Sequence, residues 1–365
     1  MLTKFKNDPV LFISGILALI SCIFVLPDME YIGYINFRVL AILFALMLVV
    51  ASLSNIGFFD FLTSRMLHIV KNQRQAAQIL VMLAFFLSMF MTNDVTLVTL
   101  VPFALITVGR FGDHKGMMYT LILMTCAANL GSMMTPIGNP QNLYLYAQYD
   151  MSALHFLKLM LPYTLLSLLL LLISTFILVG KGSEVEPVRE KFSPNMLKLV
   201  ISFVLFAVAI LSVLGVLHYL IMLALVLVVI FFMDPKIFAK ADYSLLLTFV
   251  FFFILIGNLG RLDVVYNAMS AVVSRAPVLT AILASQVISN VPAAMLLSAF
   301  TDNGDALVIG TNLGGLGTLI ASMASLITYK IYIRENKDGG RYIAAFSVVN
   351  VVMLVILIGA YYIMP

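Results

Sequence analysis

Runs of about 17 to 25 consecutive apolar residues recur along this chain, the length a helix needs to cross a hydrocarbon core of about 30 Å. Strands of a membrane barrel would instead show segments of about ten residues with alternating polarity, and the chain has none. Charged residues make up only 10% of the 365, against about 25% in an ordinary soluble domain. The fold class expected is therefore an all-α polytopic membrane protein embedded in a lipid bilayer. The formal charge of +4 comes from Lys and Arg between the runs, which speaks for topology and against a nucleic-acid partner. Cys22 and Cys126 fall inside apolar runs, where a disulfide framework has no rationale.

One interruption is informative. Thr92-Asn93-Asp94-Val95-Thr96 sits between the apolar arms Gln78 to Met91 and Leu97 to Val108. Each arm would cover about 18 to 21 Å as a helix, too little to cross, while one continuous helix would be about 50 Å, too much. Lys71 and Arg74 precede the pair of arms and Arg110 and Lys115 follow it, so both ends favour the cytoplasmic face. The pattern predicts a re-entrant hairpin over 76–109 that turns near the midplane at Asn93-Asp94. An Asp at that depth costs about 2.5 to 3.5 kcal/mol on insertion scales, which makes Asp94 a candidate site residue.

Nine crossings are expected around two such hairpins. Spans one to four start near Pro9, Phe37, Met117 and His155, with an interfacial segment from Phe58 to Arg74. Lys4 and Lys6 before the first run resemble a signal peptide, but that run continues to Leu26 and reads as a retained span. Lys181 to Pro194 is the most polar stretch and reads as a cytoplasmic linker. Spans five to seven cover about Met196 to Leu214, Val216 to Met233 and Tyr243 to Gly257. A second hairpin, 277–300, carries the tip Ser289-Asn290-Val291-Pro292, and spans eight and nine follow. Two spans are broken: 117–149 at Gly131 to Pro140, and 306–332 at Gly310 to Thr318. With the N-terminus cytoplasmic and the C-terminus outside the inner membrane, only Arg38, Lys158, Arg261 and Arg275 of the 21 Lys and Arg fall on the outer side.

The halves repeat in order: 1–180, a linker 181–195, and 196–365. Asn55-Ile56-Gly57 with Asp60 lines up with Asn258-Leu259-Gly260 with Asp263, the glycines read as helix ends and the aspartates as caps. An odd number of crossings separates equivalent spans, so the repeats are inverted and the hairpin tips meet near the midplane, an arrangement typical of secondary transporters.

The candidate site follows. Asn93, Asp94 and Thr96 offer side-chain oxygens, and carbonyls freed from Met134 to Gly138 would complete a small-cation site for Na+, with H+ as the other coupling ion. The mirror set is Ser289 and Asn290 with backbone at Gly310, Gly314 and Gly317. Thr135, Asn139, Asn142, Thr311, Asn312 and Thr318 would supply neutral hydrogen bonds, and helix N-termini after each break suit a small anion. Neither a His-Glu-x-x-His helix nor a nucleophile triad is present, so no enzyme and no cofactor is expected. A channel, which re-entrant loops also build, fits the repeat parity less well.

The Asn93-Asp94 tip, Thr135-Pro136-Ile137-Gly138-Asn139-Pro140-Gln141-Asn142, the Ser289-Asn290 tip and the Gly310 to Thr318 segment resemble the ion transporter superfamily, which includes divalent anion/sodium symporters, citrate transporters and arsenical pump permeases. The resemblance implies a homodimer, an elevator-like transport domain, cations at Asn93 with the 134–138 backbone and at Asn290 with the 310–317 backbone, and substrate between the tips. Symporters of dicarboxylates carry Ser-Asn-Thr at both tips. Here the tips read Thr92-Asn93-Asp94 and Ser289-Asn290-Val291, and Asp94 adds a titratable group. The expected function is cation-coupled transport of citrate or a di- or tricarboxylate. The alternative is proton-coupled arsenite or antimonite efflux, or Na+/H+ antiport.

Overall fold

The computed structural model describes residues 9–67, 70–182 and 195–363, and every regular element among them is helical. Lys4, Lys6, His68 and residues 183–194, which hold most of the expected linker, lie outside the described residues. In the first half run α1 (Pro9–Phe24), α2 (Glu30–Tyr34), α3 (Phe37–Asn55), α4 (Phe58–Leu67), α5 (Gln73–Leu87), α6 (Asn93–Gly109), α7 (His114–Ser132), α8 (Pro140–Gln148) and α9 (Ala153–Leu178). In the second run α10 (Met196–Val213), α11 (Tyr219–Met233), α12 (Tyr243–Gly260), α13 (Asp263–Arg275), α14 (Pro277–Ile288), α15 (Asn290–Ser298), α16 (Gly304–Leu313), α17 (Met323–Glu335) and α18 (Gly339–Ile363), with a 3-10 turn at Pro235–Lys240.

Short polar side chains start many of these helices by accepting from an amide that would otherwise lack a partner. Asn36 takes the amide of Val39 at 3.1 Å, Asp113 that of Gly116 at 3.1 Å, Asp242 that of Leu245 at 3.1 Å, and Asn303 that of Ala306 at 3.0 Å. Among the described residues five helices, α3, α9, α10, α12 and α18, are long and apolar enough to cross a membrane. The chain is thus a multi-pass membrane protein. Expected spans one and six are the shorter α1 and α11. Span six begins later than expected because Gly215 (φ 75) turns the chain and His218 caps α11. At its 15 residues, α11 covers only about 22 Å.

The packing recurs between the halves. α1 packs on α12 and α11 on α3, the arms α5 and α6 pack on α7, and α14 and α15 pack on α16. Each short half-helix after a break crosses to the opposite half, α8 against α15 and α17 against α6. The ends of the first hairpin lie side by side, since the Gln73 side chain donates to the Asp113 carbonyl at 3.1 Å. Leading into the second hairpin, α13 and α14 meet at 112°. Gly131 sets the close approach of α5 to α7: a Cβ there would lie 2.0 Å from the Phe85 carbonyl oxygen.

The repeated Asn-x-Gly segments prove to be tethers. Asn258 Nδ2 donates to Ser21 Oγ (2.9 Å) and to the Tyr31 hydroxyl (2.8 Å), binding α12 to α1 and α2. Asn55 Nδ2 donates to Asp234 Oδ2 at 3.0 Å and its Oδ1 accepts from Lys240, binding α3 to the turn after α11. Both glycines end helices as expected: Gly57 (φ 80) follows α3 in a left-handed conformation, and Gly260 is the last residue of α12. Neither aspartate is a cap: Asp263 is the first residue of α13 and Asp60 lies in the first turn of α4, where each complements the helix dipole instead.

Beside Asn258, Arg261 reaches Asp28 at 2.7 Å and Glu30 at 3.4 Å, and its hydrogen bond holds the Asp28 carboxyl below the ordinary range. A carboxylate lowered in the folded state stabilises above its unfolded pKa, and that contribution is lost as pH falls through the folded value. Thermal unfolding in detergent should therefore separate wild type from Asp28→Asn at pH 7 and bring the two together by about pH 2. Identical curves at pH 7 would contradict the tether.

Candidate functional site

The first hairpin turns over Ser88 to Thr92, and α6 begins at Asn93. The turn therefore precedes the polar residues expected to form it. Thr92 is extended (φ −60, ψ 149), and Asn93, Asp94 and Thr96 occupy the first turn of α6, where amides point outward. The second hairpin also reverses earlier than expected. Ser289 alone, at φ 73 and ψ 156, joins α14 to α15, and Val291 and Pro292 are already helical, a place where proline's missing N–H costs nothing.

The breaks bring the four elements together. Asn93 Nδ2 donates to Asn129 Oδ1 on α7 at 2.7 Å and lies 3.4 Å from Ser322 Oγ, which itself donates to Asn129 Oδ1 at 2.9 Å. Asn290 donates its amide to the Ala321 carbonyl at 3.0 Å, and Ser289 Oγ lies 3.4 Å from the same oxygen. Both tips thus meet at Ala321-Ser322. Across the bundle, Asn312 Nδ2 donates to Asn142 Oδ1 at 2.7 Å, and Asn142 Nδ2 donates to the carbonyls of Ser132 (3.1 Å) and Thr135 (3.2 Å), backbone that no helix satisfies.

The expected site residues divide accordingly. Asn93 joins one network with Asn129 and Ser322, neither of them expected at the site, and Asn142 and Asn312 form another. Asn139 Nδ2 donates to Ser132 Oγ at 2.5 Å, the Thr135 hydroxyl clamps the Met89 carbonyl, and the Thr311 hydroxyl turns back to Leu307 at 2.7 Å. Met134 and Gly138 lie in the first break, where a Cβ on Gly138 would stand 2.1 Å from the Ser132 carbonyl oxygen. Gly310 differs from expectation: it is inside α16, its carbonyl accepts the Gly314 amide at 2.8 Å, and its missing Cβ admits Ala281. The second break starts at Gly314 and includes Gly317 (φ 107). Asp94 is half-buried, with its amide on Asn93 Oδ1 at 2.9 Å. Buried oxygens of Thr96, Asn139 and Asn312 have no hydrogen-bond partner among the described residues, and Asn139 and Thr92 line a cavity of about 30 Å³ against Leu43 and Met47 of α3.

Besides Asn129 and Ser322, two further site residues escaped the sequence reading. Gln141 is fully buried, and neither side-chain polar atom has a hydrogen-bond partner among the described residues. Gln286 donates to the carbonyls of Gly314 and Leu316, both at 2.9 Å, while its Oε1 accepts the Thr318 amide at 2.9 Å and its carbonyl accepts the Thr318 hydroxyl at 3.2 Å. A sequence signal exists for this register. Asn129-Leu130-Gly131 with Thr135 and Ile137 matches Asn312-Leu313-Gly314 with Thr318 and Ile320. Ser88 with Thr92-Asn93 likewise matches Ser285 with Ser289-Asn290.

A multi-pass helical bundle whose two helix breaks and two tight hairpins share one polar centre defines a membrane transporter class. The chain belongs to the citrate transporter family of the ion transporter superfamily, whose model matches residues 1–303. It is 33% identical over 352 residues to the uncharacterized transporter MJ0456 of Methanocaldococcus jannaschii, covering 95% of both chains. It is 32% identical over 303 residues to the inner membrane protein YbiR of Escherichia coli, covering 81% of this chain and 80% of that one.

The left-handed backbone at Ser289 gives a test of the second tip. Ser289→Gly should unfold no earlier than wild type in detergent, because glycine accepts that conformation freely, whereas Ser289→Val should lose about 1 to 3 kcal/mol. Equal losses for both would show that the hydroxyl contact, not the backbone, holds the turn.

Proposed function

We propose that this protein is a secondary active transporter of a small anion of the citrate or di- and tricarboxylate class, coupled to Na+ or H+. The observation that carries the reading is the convergence of both hairpin tips on Ala321-Ser322, beside two broken helices. The N-terminal turns of α6, α8, α15 and α17 adjoin this centre, and their amides present partial positive charge suited to carboxylates. Asp94, in the first of those turns, is the group that holds a coupling cation or proton, together with Asn93 and the backbone from Met134 to Gly138. Hard cations of this kind take oxygen ligands, which tip and break supply.

In this reading the halves are inverted repeats in the inner membrane, the N-terminus is cytoplasmic and the C-terminus outside, and both hairpins are re-entrant. The protein works as a homodimer. The hairpins with their broken helices move as one body against α1, α3, α11 and α12, and the small cavity between α3 and the first tip lies on the sliding surface. Membership of the citrate transporter family supports the anion class.

Proteoliposomes should accumulate labelled citrate or succinate under an imposed Na+ or H+ gradient and not in its absence. Asp94→Asn and Asn290→Ala should each cut the initial rate about tenfold or more, as loss of a charged or buried partner implies. Unchanged rates in both variants would sink the site assignment. No uptake under either gradient would move the reading to arsenite or antimonite efflux or to Na+/H+ antiport.

A further inference from the structure

The two breaks occupy equivalent places in the repeat, yet they are not chemically equivalent. Thr135 and Thr318 each donate a hydroxyl to the carbonyl of the residue four before the tip asparagine, Met89 in one half and Gln286 in the other. Ser88 and Ser285 each lie where a Cβ on the facing glycine, Gly131 or Gly314, would intrude, at 2.6 and 2.7 Å. The registers therefore agree residue for residue. At the one position Met89/Gln286 the first half carries a thioether with no N–H and the second a primary amide; the first break's amide donor is Asn142 instead, and it takes other carbonyls, those of Ser132 and Thr135.

That amide fills the role a cation would play. A break exposes carbonyl oxygens, and these can be satisfied by an oxygen-seeking ion or by N–H donors. In the second break the Gln286 NH2 takes the carbonyls of Gly314 and Leu316 at 2.9 Å each, and its Oε1 takes the Thr318 amide. Gly317 is moulded to it: a Cβ there would lie 2.3 Å from Gln286 Oε1, on a backbone at φ 107. The charges divide the same way, since the residue after the tip asparagine is Asp94 in the first half and Val291 in the second. We infer that Gln286 is a built-in substitute for a second coupling cation, so that this transporter binds at most one cation per chain, in its first half. The inference rests on reading the breaks as cation-binding elements, and it makes Gln286 a residue that sets coupling stoichiometry.

Counting radiolabelled Na+ on the purified full chain by equilibrium dialysis tests this without any anion. Wild type should bind no more than about one Na+ per chain. Gln286→Met, which installs the first half's residue, should bind one more than wild type, provided size-exclusion chromatography shows it monodisperse. Two Na+ on wild type, or no gain in a folded Gln286→Met, overturns the substitution. Should the variant fail to fold, the wild-type count decides alone. A failure of citrate uptake bears on the transport reading and leaves the count untouched, and a count of two leaves transport untouched.

Discussion

Irregular backbone in the middle of an apolar bundle persists only when its polar groups find partners, and here amide side chains of the same half, Asn142 and Gln286, supply them, with Asn142 held in turn from the opposite half. Asn142 satisfies two carbonyls of its own break and is itself held by Asn312 from the other. Asn129 stands between the first tip and Ser322 of the second break. Neither half can complete its own centre. The polar centre therefore draws on both halves, and at equivalent positions beside it Asn55 ties α3 to the turn after α11 and Asn258 ties α12 to α1.

The close approach that makes these bonds possible is a matter of missing side chains. Gly131 and Gly314 let each hairpin arm lie against the helix that breaks, and Gly138 lets the first break fold back on Ser132. A methyl group at any of these would force backbone apart in a well-packed interior, where overpacking costs about 1 to 3 kcal/mol. Within this frame, Asp94 and Gln286 are two of the departures from symmetry. Both concern charge at the centre, which is where a transporter with an unequal pair of cation sites would depart from symmetry.

Much of this was legible beforehand. The run from Pro277 to Ile288 appears as the helix expected, and the Gly- and Pro-rich segments do break their helices. Boundaries moved where one residue type serves two purposes: Asn93 and Asp94 suit a turn and equally the first turn of a helix, so the tip was placed too late. Gly310 was misread because a glycine that opens a helix and one that admits a neighbouring methyl look alike in sequence. Gln286 is a single polar residue in an apolar arm, which by itself carries no signal. Its partners are carbonyls, which leave no trace in the sequence, and only the register of Ser88 with Ser285 would have set it opposite Met89.

The central claim, that hydrogen bonds between the halves hold the broken helices, is tested most directly by a double-mutant cycle on Asn142→Ala and Asn312→Ala. Unfolding free energies in detergent should be coupled by about 0.6 to 1.7 kcal/mol, the span seen for polar pairs between membrane helices. Additive losses, with no coupling beyond error, would contradict the account.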